Sequence, residues 1–476
     1  MDPLIRLQQA GVCRLTIDSR RVAVDTAFVA LPPAGVGSGN GRDFALSAVE
    51  AGAPLVLGEG DSPPGLAKSC WLQLNSVREE YPVLAAQLAG EGGQNLCVIG
   101  VTGTDGKTSV AWLASELLNA LEPQTCARLG TLGAQWCGVD ENAGYTTPPA
   151  SVLHPLMARM VADGAKRLVM EVSSHAIALG RVSAVDFRVG VLTTLARDHL
   201  DFHGDVERYH RTKLDWLDGL PDTASVVAPQ RLASRLTARE KIRVVGSKGL
   251  FIEPLARQRG WTQLRLGDGQ QEAKSRTRLI GRLMLDNLAL ACDVARSEGF
   301  SLEAIADAIE HVVPVPGRFE PVGERCLVDY AHTPDALAQA LTALREQCSG
   351  RLIVVFGAGG DRDRGKRPEM AEAVERCADL AIVTSDNPRS EDPHRIIDDI
   401  VQGFEADEWH AEALGQQAKG WSRILDRREA IALGWSLCKG GDLLFVAGKG
   451  AETTQEIAGE RFPFDDRHEL RRLMEV

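Results

Sequence analysis

The stretch Leu96-Cys97-Val98-Ile99-Gly100-Val101-Thr102-Gly103-Thr104-Asp105-Gly106-Lys107-Thr108-Ser109 decides how this chain is read. An apolar run of strand length leads into a glycine turn with a lysine, and a helix pattern follows from Val110 to Leu121. That order binds phosphates, because successive backbone N–H groups and the helix N-terminus face the anion. In such a loop Gly103, Thr104, Gly106, Lys107, Thr108 and Ser109 cradle a nucleotide, with Lys107 as a point charge and Thr108 reaching Mg2+. The strict phosphate-loop pattern also wants glycine five residues before Gly106, where this chain has Val101. A glycine turn with a solvated lysine is the plain alternative, and the flanking strand and helix argue against it.

Outward from the loop, short apolar runs recur at Leu168–Val172, Val189–Leu192, Ser225–Val227 and Arg243–Val245. Helical stretches separate several of them, which predicts a mainly parallel sheet with helices on both faces. Upstream, a helix-like opening precedes Leu15-Thr16-Ile17-Asp18-Ser19-Arg20, the run Ala27–Leu31 and a glycine-rich loop from Gly35 to Gly41. Downstream, Pro314-Val315-Pro316-Gly317 reads as a linker. The strand–helix alternation then resumes at Cys326–Tyr330, Leu352–Phe356, Leu380–Val383 and Leu443–Val446. The expected architecture is α/β with three domains: a small α/β unit at 1–93, a phosphate-loop domain at 94–312 and a Rossmann-like domain at 313–476. A length of 476 residues agrees, at roughly 150 residues per domain.

Composition sets the broad class. Hydrophobic residues at 44% and charged residues at 25% are those of an ordinary globular chain. A net charge of -12 gives no broad attraction to nucleic acid or anionic lipid. No apolar run reaches the ~18 residues of a membrane span, and the N-terminus lacks the apolar core of a signal peptide. The 10 cysteines are scattered, without a CxxC pair, as buried thiols in a reducing compartment would be. A cytoplasmic monomer is expected.

Gly-Thr-x-Gly-Lys-Thr after Val-Ile-Gly-Val-Thr resembles the loop of the Mur ligase family, which joins amino acids to UDP-N-acetylmuramoyl peptides in peptidoglycan synthesis. Folylpolyglutamate synthetases are its relatives. Family members usually carry asparagine where Asp105 stands. Three further stretches are similar to family motifs and hold Glu171 at a strand end, His199 after Ala196-Arg197-Asp198, and Lys213 after Tyr209-His210-Arg211-Thr212. The resemblance implies that Glu171 and His199 ligate Mg2+. It also implies that CO2 carbamoylates Lys213, so that a former cation binds a second Mg2+. Lys107, Glu171, His199 and Lys213 would be the catalytic set. They would drive formation of an acyl phosphate that an amine then attacks, mostly by positioning and charge stabilisation.

The rest of the resemblance assigns ligands. Arg318, in Pro316-Gly317-Arg318-Phe319-Glu320, would reach the nucleotide phosphates, Asp329 the ribose, and Asn287 the region near adenine. Gly359–Pro368 and Asp386-Asn387-Pro388-Arg389 resemble motifs of the members that add the third peptide residue, in the form that takes meso-2,6-diaminopimelate rather than lysine. Arg362, Asp386, Asn387, Pro388, Arg389, Gly448 and Glu452 would hold that amino acid. A planar guanidinium suits its distal carboxylate and Glu452 its distal ammonium. On the acceptor side, Ser19, Thr146, Thr147, Ser173 and Arg181 would hold UDP-N-acetylmuramoyl-L-Ala-D-Glu.

Departures cluster at the substrate ends: Leu179 for a glutamine, Ala451 for a histidine, and Gly37–Arg42 where longer side chains are common. The expectation is an ATP-dependent, ADP-forming amide ligase. The alternatives are a divergent paralogue joining another amine or acid and a degenerate nucleotide-binding protein. A folylpolyglutamate synthetase would need neither a uridine-binding N-terminal unit nor the Asn-Pro-Arg loop.

Overall fold

The computed structural model describes residues 2–33, 39–90, 95–236, 242–258 and 260–475. Part of the glycine-rich loop (34–38) and the expected boundary near 93 lie outside the described residues. The chain packs into two compact units. One comprises Met1–Phe251, Leu266–Ala273 and Asn287–His311, and the other Ile252–Arg265, Lys274–Asp286 and Val312–Val476.

The first unit opens with helix Pro3–Gln9, capped by Asp2, whose side chain accepts from Leu4 N. Strands β1 (Arg14–Thr16), β2 (Thr26–Val29), β3 (Val56–Glu59) and β4 (Trp71–Leu74) form a four-stranded parallel sheet in sequential order. Leu7, Val29, Leu57, Leu74, Tyr81 and Leu84 pack together beside this sheet. A second set, including Phe28, Val56 and Trp71, packs separately.

The same unit holds an eight-stranded sheet. Its strands are β5 (Cys97–Thr102), β6 (Cys126–Gly130), β7 (Gly133–Trp136), β8 (Val139–Glu141), β9 (Arg167–Glu171), β10 (Phe187–Leu192), β11 (Ser225–Pro229) and β12 (Arg243–Val245). The spatial order is β12-β11-β10-β5-β9-β6-β7-β8. Strands β12 through β6 pair in parallel, while β7 and β8 turn back as an antiparallel edge. Near-continuous apolar runs made β5, β9, β10 and β11 visible in sequence, as expected of strands covered on both faces. The helix after β5 starts at Lys107, earlier than Val110, because Gly106 takes the left-handed conformation and turns the chain into it.

Strands β13 (Phe251–Gln258), β14 (Trp261–Gly267) and β15 (Glu272–Thr277) form a three-stranded sheet. The second unit's main sheet is built from β16 (Glu320–Val322), β17 (Cys326–Asp329), β18 (Leu352–Phe356), β19 (Leu380–Val383), β20 (Gly420–Arg423) and β21 (Leu443–Ala447), in the order β16-β17-β21-β18-β19-β20. Only β16 runs antiparallel. Val328, Ile353, Val355, Ile382, Leu444 and Val446 form part of its apolar core. Inside it Arg427 and Asp466, both fully buried, pair through bonds of 2.8 and 2.7 Å. Strands β22 (Thr454–Ile457) and β23 (Glu460–Pro463) form a hairpin.

Candidate active site

In the first unit, β5 and β9 are neighbours, and the phosphate loop leaves the C-terminal end of β5. Open parallel sheets bind ligands at that end. The loop is held in part by its backbone, and the Thr104 hydroxyl ties it to Ala196. Asp105 N donates to Thr194 Oγ1 at 2.8 Å, and Asp105 O accepts from Thr193 Oγ1 at 2.5 Å and Thr194 Oγ1 at 3.1 Å. These bonds are made by the backbone of residue 105, which aspartate and asparagine share. Lys107 Nζ donates to Gly103 O at 3.1 Å and Thr104 O at 2.8 Å. Asn287 lies against the loop, its Oδ1 2.9 Å from where a Cβ on Gly106 would be.

Glu171, the last residue of β9, is 2% exposed and fully engaged. Oε2 accepts from Thr108 Oγ1 at 3.0 Å and Thr131 Oγ1 at 3.3 Å; Oε1 accepts from Thr131 N at 2.8 Å. Gly130 makes room for the carboxylate: a Cβ there would overlap Glu171 Oε1. Thr131 also bonds Thr146 Oγ1 at 3.1 Å, which links Glu171 to the expected acceptor residues. Thr147 Oγ1 donates to Glu171 O at 2.8 Å and accepts from Ser173 N at 3.1 Å; Arg181 Nη1 donates to Thr147 O at 2.9 Å. Thr146, Thr147, Ser173 and Arg181 thus meet around Glu171. Ser19 sits in a turn after β1 that Asp18 caps, and no hydrogen bond joins it to them among the described residues.

His199 adopts a left-handed φ of 51° at the start of helix Leu200–His203. Its Nε2 is 3.2 Å from Asp198 Oδ2, and its ring lies 4.7 Å from that of His175 and 6.0 Å from that of Tyr209. Tyr209 in turn lies 4.0 Å beneath Lys213 Nζ. Lys213, 1% exposed on helix Val206–Asp218, is lowered to about 7 by burial first and the nearby Lys107 charge second, with Asp198 opposing. Burial of this kind favours the neutral amine.

Among the described residues no three His, Cys, Asp or Glu side chains gather into a metal-holding group. The donors present still suit Mg2+, a hard cation that takes few protein ligands: a buried carboxylate hydrogen-bonded to a threonine hydroxyl at the phosphate-loop helix.

The second unit gathers the expected amino-acid residues. Arg389 has a φ of 53°, and its backbone is pinned by Glu456 O of β22 at 3.0 Å and by Ala458 N, just after that strand, at 2.7 Å. Its Nη1 donates to Gly360 O at 2.6 Å. The exposed Arg362 stands two residues further on. Glu391 ties the two loops together: it accepts from Asp361 N at 2.5 Å and pairs with the fully buried Arg367 at 2.8 Å, and Arg367 holds its carboxyl down at about 2. Pro388 is buried between Asn387 and Arg389. Asp386 is buried beside Gly448, whose φ of 114° and 2.9 Å approach to Asp386 Oδ2 leave no place for a side chain. Burial pushes the Asp386 carboxyl up. Asn387 Nδ2 donates to Glu452 Oε2 at 2.8 Å.

Asp329 accepts from Phe319 N and Ala331 N, both at 2.8 Å, and burial raises its carboxyl. Arg318 lies 4.3 Å over the Tyr330 ring. Sequence reasoning did not single out Gly130, Thr131, Tyr209 as a residue in its own right, or Lys449.

The Mur ligase middle domain model matches residues 101–295, and the Mur ligase glutamate ligase domain model matches 317–450. UDP-N-acetylmuramoyl-L-alanyl-D-glutamate--2,6-diaminopimelate ligase of Xanthomonas campestris pv. campestris (strain 8004) is 38% identical over 96% of this chain and 92% of its own. The chain belongs to the Mur ligase family. The enzyme of the same name from Chromobacterium violaceum is 38% identical, covering 98% of this chain and 95% of its own. A solved structure of a ligase with that name superposes with a TM-score of 0.69 at 32% identity, over 98% of this chain and 95% of that one. MurF ligase from Thermotoga maritima in complex with ADP, at 19% identity and TM-score 0.61 over 95% of each chain, shares the fold. As a Mur ligase the chain is an ATP-dependent, ADP-forming amide ligase of parallel-dominated α/β domains. Among the described residues no helix is long and apolar enough to cross a membrane.

Proposed function

We propose that this Mur ligase adds meso-2,6-diaminopimelate to UDP-N-acetylmuramoyl-L-Ala-D-Glu in peptidoglycan synthesis. The observation that carries the amino-acid assignment is the Asp386–Arg389 loop. Its arginine is locked by backbone pairing to β22, and its asparagine is bonded to Glu452. A guanidinium held in this way suits a second carboxylate, which lysine lacks.

In this reading the Gly103–Ser109 loop, Asn287, Arg318 and Asp329 bind ATP, and Ser19, Thr146, Thr147, Ser173 and Arg181 bind the acceptor. An acceptor carboxylate oxygen attacks the γ-phosphorus and ADP leaves. The amine then attacks the acyl carbon, loses a proton and expels phosphate. Lys107 turns from the loop carbonyls to the phosphates. Glu171, Thr108 and His199 would hold Mg2+, with carbamoylated Lys213 holding a second ion; these ions supply charge neutralisation where carboxylate and γ-phosphate meet. The lowered Lys213 amine supports that modification. Neutral nitrogen forms a bond to CO2 and releases a proton, leaving a carbamate anion. The division at 93 and 312, a monomeric state and a cytoplasmic location belong to the same proposal.

Ala451 favours a second reading, a paralogue with a different amine, because the family's histidine is missing at that end of the site. Purified protein with ATP, Mg2+ and UDP-N-acetylmuramoyl-L-Ala-D-Glu separates the two when the amine is varied and phosphate release is followed. Preference for meso-diaminopimelate over lysine supports the first reading. Preference for another amine supports the second.

A further inference from the structure

Lys449 follows Gly448 at the end of β21 and is completely buried. Its Nζ donates to Asn387 Oδ1 at 3.1 Å, Glu452 Oε2 at 3.1 Å and Thr454 O at 2.7 Å. Three acceptors use all three ammonium hydrogens. Asn387 is thereby fixed in one polarity. Its Oδ1 accepts from Lys449 and from Glu456 N at 3.0 Å, and its Nδ2 donates to Glu452 Oε2 at 2.8 Å. Flipping the amide would set its NH2 against two donors and its oxygen against a carboxylate. Glu452 Oε2 therefore carries two hydrogen bonds, while Oε1 takes none among the described residues. The Glu452 side chain remains 38% exposed.

We infer that Lys449 is a positioning residue: by holding Oε2 and locking the Asn387 amide, it presents Glu452 Oε1 to an ammonium of the incoming amino acid. The inference rests on Glu452 and Asn387 belonging to the amino-acid site, as proposed above. The hydrogen bonds of Lys449 go to Asn387, Glu452 and Thr454, and among the described residues none joins it to a residue of the proposed ATP or acceptor sites. Its effect falls on amine binding and leaves the earlier acyl-phosphate step alone. A removed lysine would free the Glu452 carboxylate to sample other rotamers, and binding energy would be spent on ordering it again.

The test uses the full-length protein with Lys449→Met, which keeps the stem, and Lys449→Gln, which keeps a donor. For each variant that melts near the wild type, the KM for meso-diaminopimelate should rise by about tenfold or more, the loss of a charge-assisted bond. The KM for ATP and the yield of acyl phosphate trapped by hydroxylamine without amine should stay within about threefold. In a Glu452→Gln background the same change should add less than about threefold, since interacting residues are non-additive. An unchanged amine KM, an equal loss of trapped acyl phosphate, or a full additive effect overturns the inference. So does failure of both variants to fold, because the lysine would then be structural. Wild-type protein that turns over only another amine refutes the diaminopimelate assignment instead, and the KM for that amine is then the one read.

Discussion

Thr108 Oγ1 donates to Glu171 Oε2 at 3.0 Å, which joins the first turn of the phosphate-loop helix to the C-terminal end of the adjacent strand β9. In the proposed reading the nucleotide end and the acceptor end of the chemistry would share one carboxylate, since Glu171 also engages Thr131, and Thr131 engages Thr146. Displacing that carboxylate disturbs both ends at once.

Gly130→Ala tests this without touching a polar group. The added methyl overlaps Glu171 Oε1, and either the carboxylate or β6 must move. Overpacking of this kind costs about 1–3 kcal/mol of stability, and kcat should fall by more than about tenfold. Thermal melting and steady-state turnover check both. A variant with full activity would show that the Glu171 position is not critical.

Asp105→Asn should tighten ATP binding by about threefold, because a carboxylate facing a polyphosphate is removed at a solvent-exposed position. The backbone bonds of residue 105 to Thr193 and Thr194 are open to asparagine as well, so the loop should keep its shape. Titration of ATP into both proteins at matched Mg2+ and salt gives the comparison. Weaker binding by the asparagine variant would mean that Asp105 contributes to nucleotide or metal binding.

The proposed carbamoylation of Lys213 would make activity depend on pH and CO2. Its amine is lowered to about 7, so acidification below that point converts it to ammonium, which cannot bond CO2. At fixed dissolved CO2, activity should climb from pH 6 to about 8 and fall when CO2 is stripped at pH 8, returning with bicarbonate. Lys213→Ala should abolish turnover under all these conditions. Full activity in CO2-free buffer would rule out the carbamate.

Arg389→Gly and Arg389→Lys separate strain from recognition. Glycine relieves the left-handed backbone at φ 53°, worth about 1 kcal/mol, so the melting temperature should not fall. Lysine keeps a charge and loses the fork. Both should raise the KM for meso-diaminopimelate by about tenfold or more and narrow its advantage over lysine as substrate. Unchanged discrimination would take Arg389 out of the specificity site.

Much of this was legible in sequence because buried parallel strands announce themselves as unbroken apolar runs. Cys97–Thr102, Arg167–Glu171 and Leu352–Phe356 are such runs, and glycine and lysine mark the turn that follows the first. Strand β15 was hidden because its sequence, EAKSRT, is mostly polar, and β23 because ERFP is short and exposed throughout. Thr131 and Gly130 were hidden for another reason. One acts through its backbone N–H as well as its hydroxyl, and the other through the absence of a Cβ, and neither leaves a periodic or charged signal. Lys449 was visible as a letter in Gly448-Lys449-Gly450, but its burial and three acceptors come only from the return of β22 toward Asn387.

The most direct test of the central claim, amide formation through an acyl phosphate, follows one oxygen atom. UDP-N-acetylmuramoyl-L-Ala-D-Glu labelled with 18O in the D-glutamate carboxylates is incubated with the protein, ATP, Mg2+ and meso-diaminopimelate, and the released phosphate is weighed by mass spectrometry. Transfer of one 18O to phosphate, in step with an amide product carrying the added diaminopimelate, is the predicted result. Unlabelled phosphate alongside product, or ATP hydrolysis with no amide formed, would contradict it.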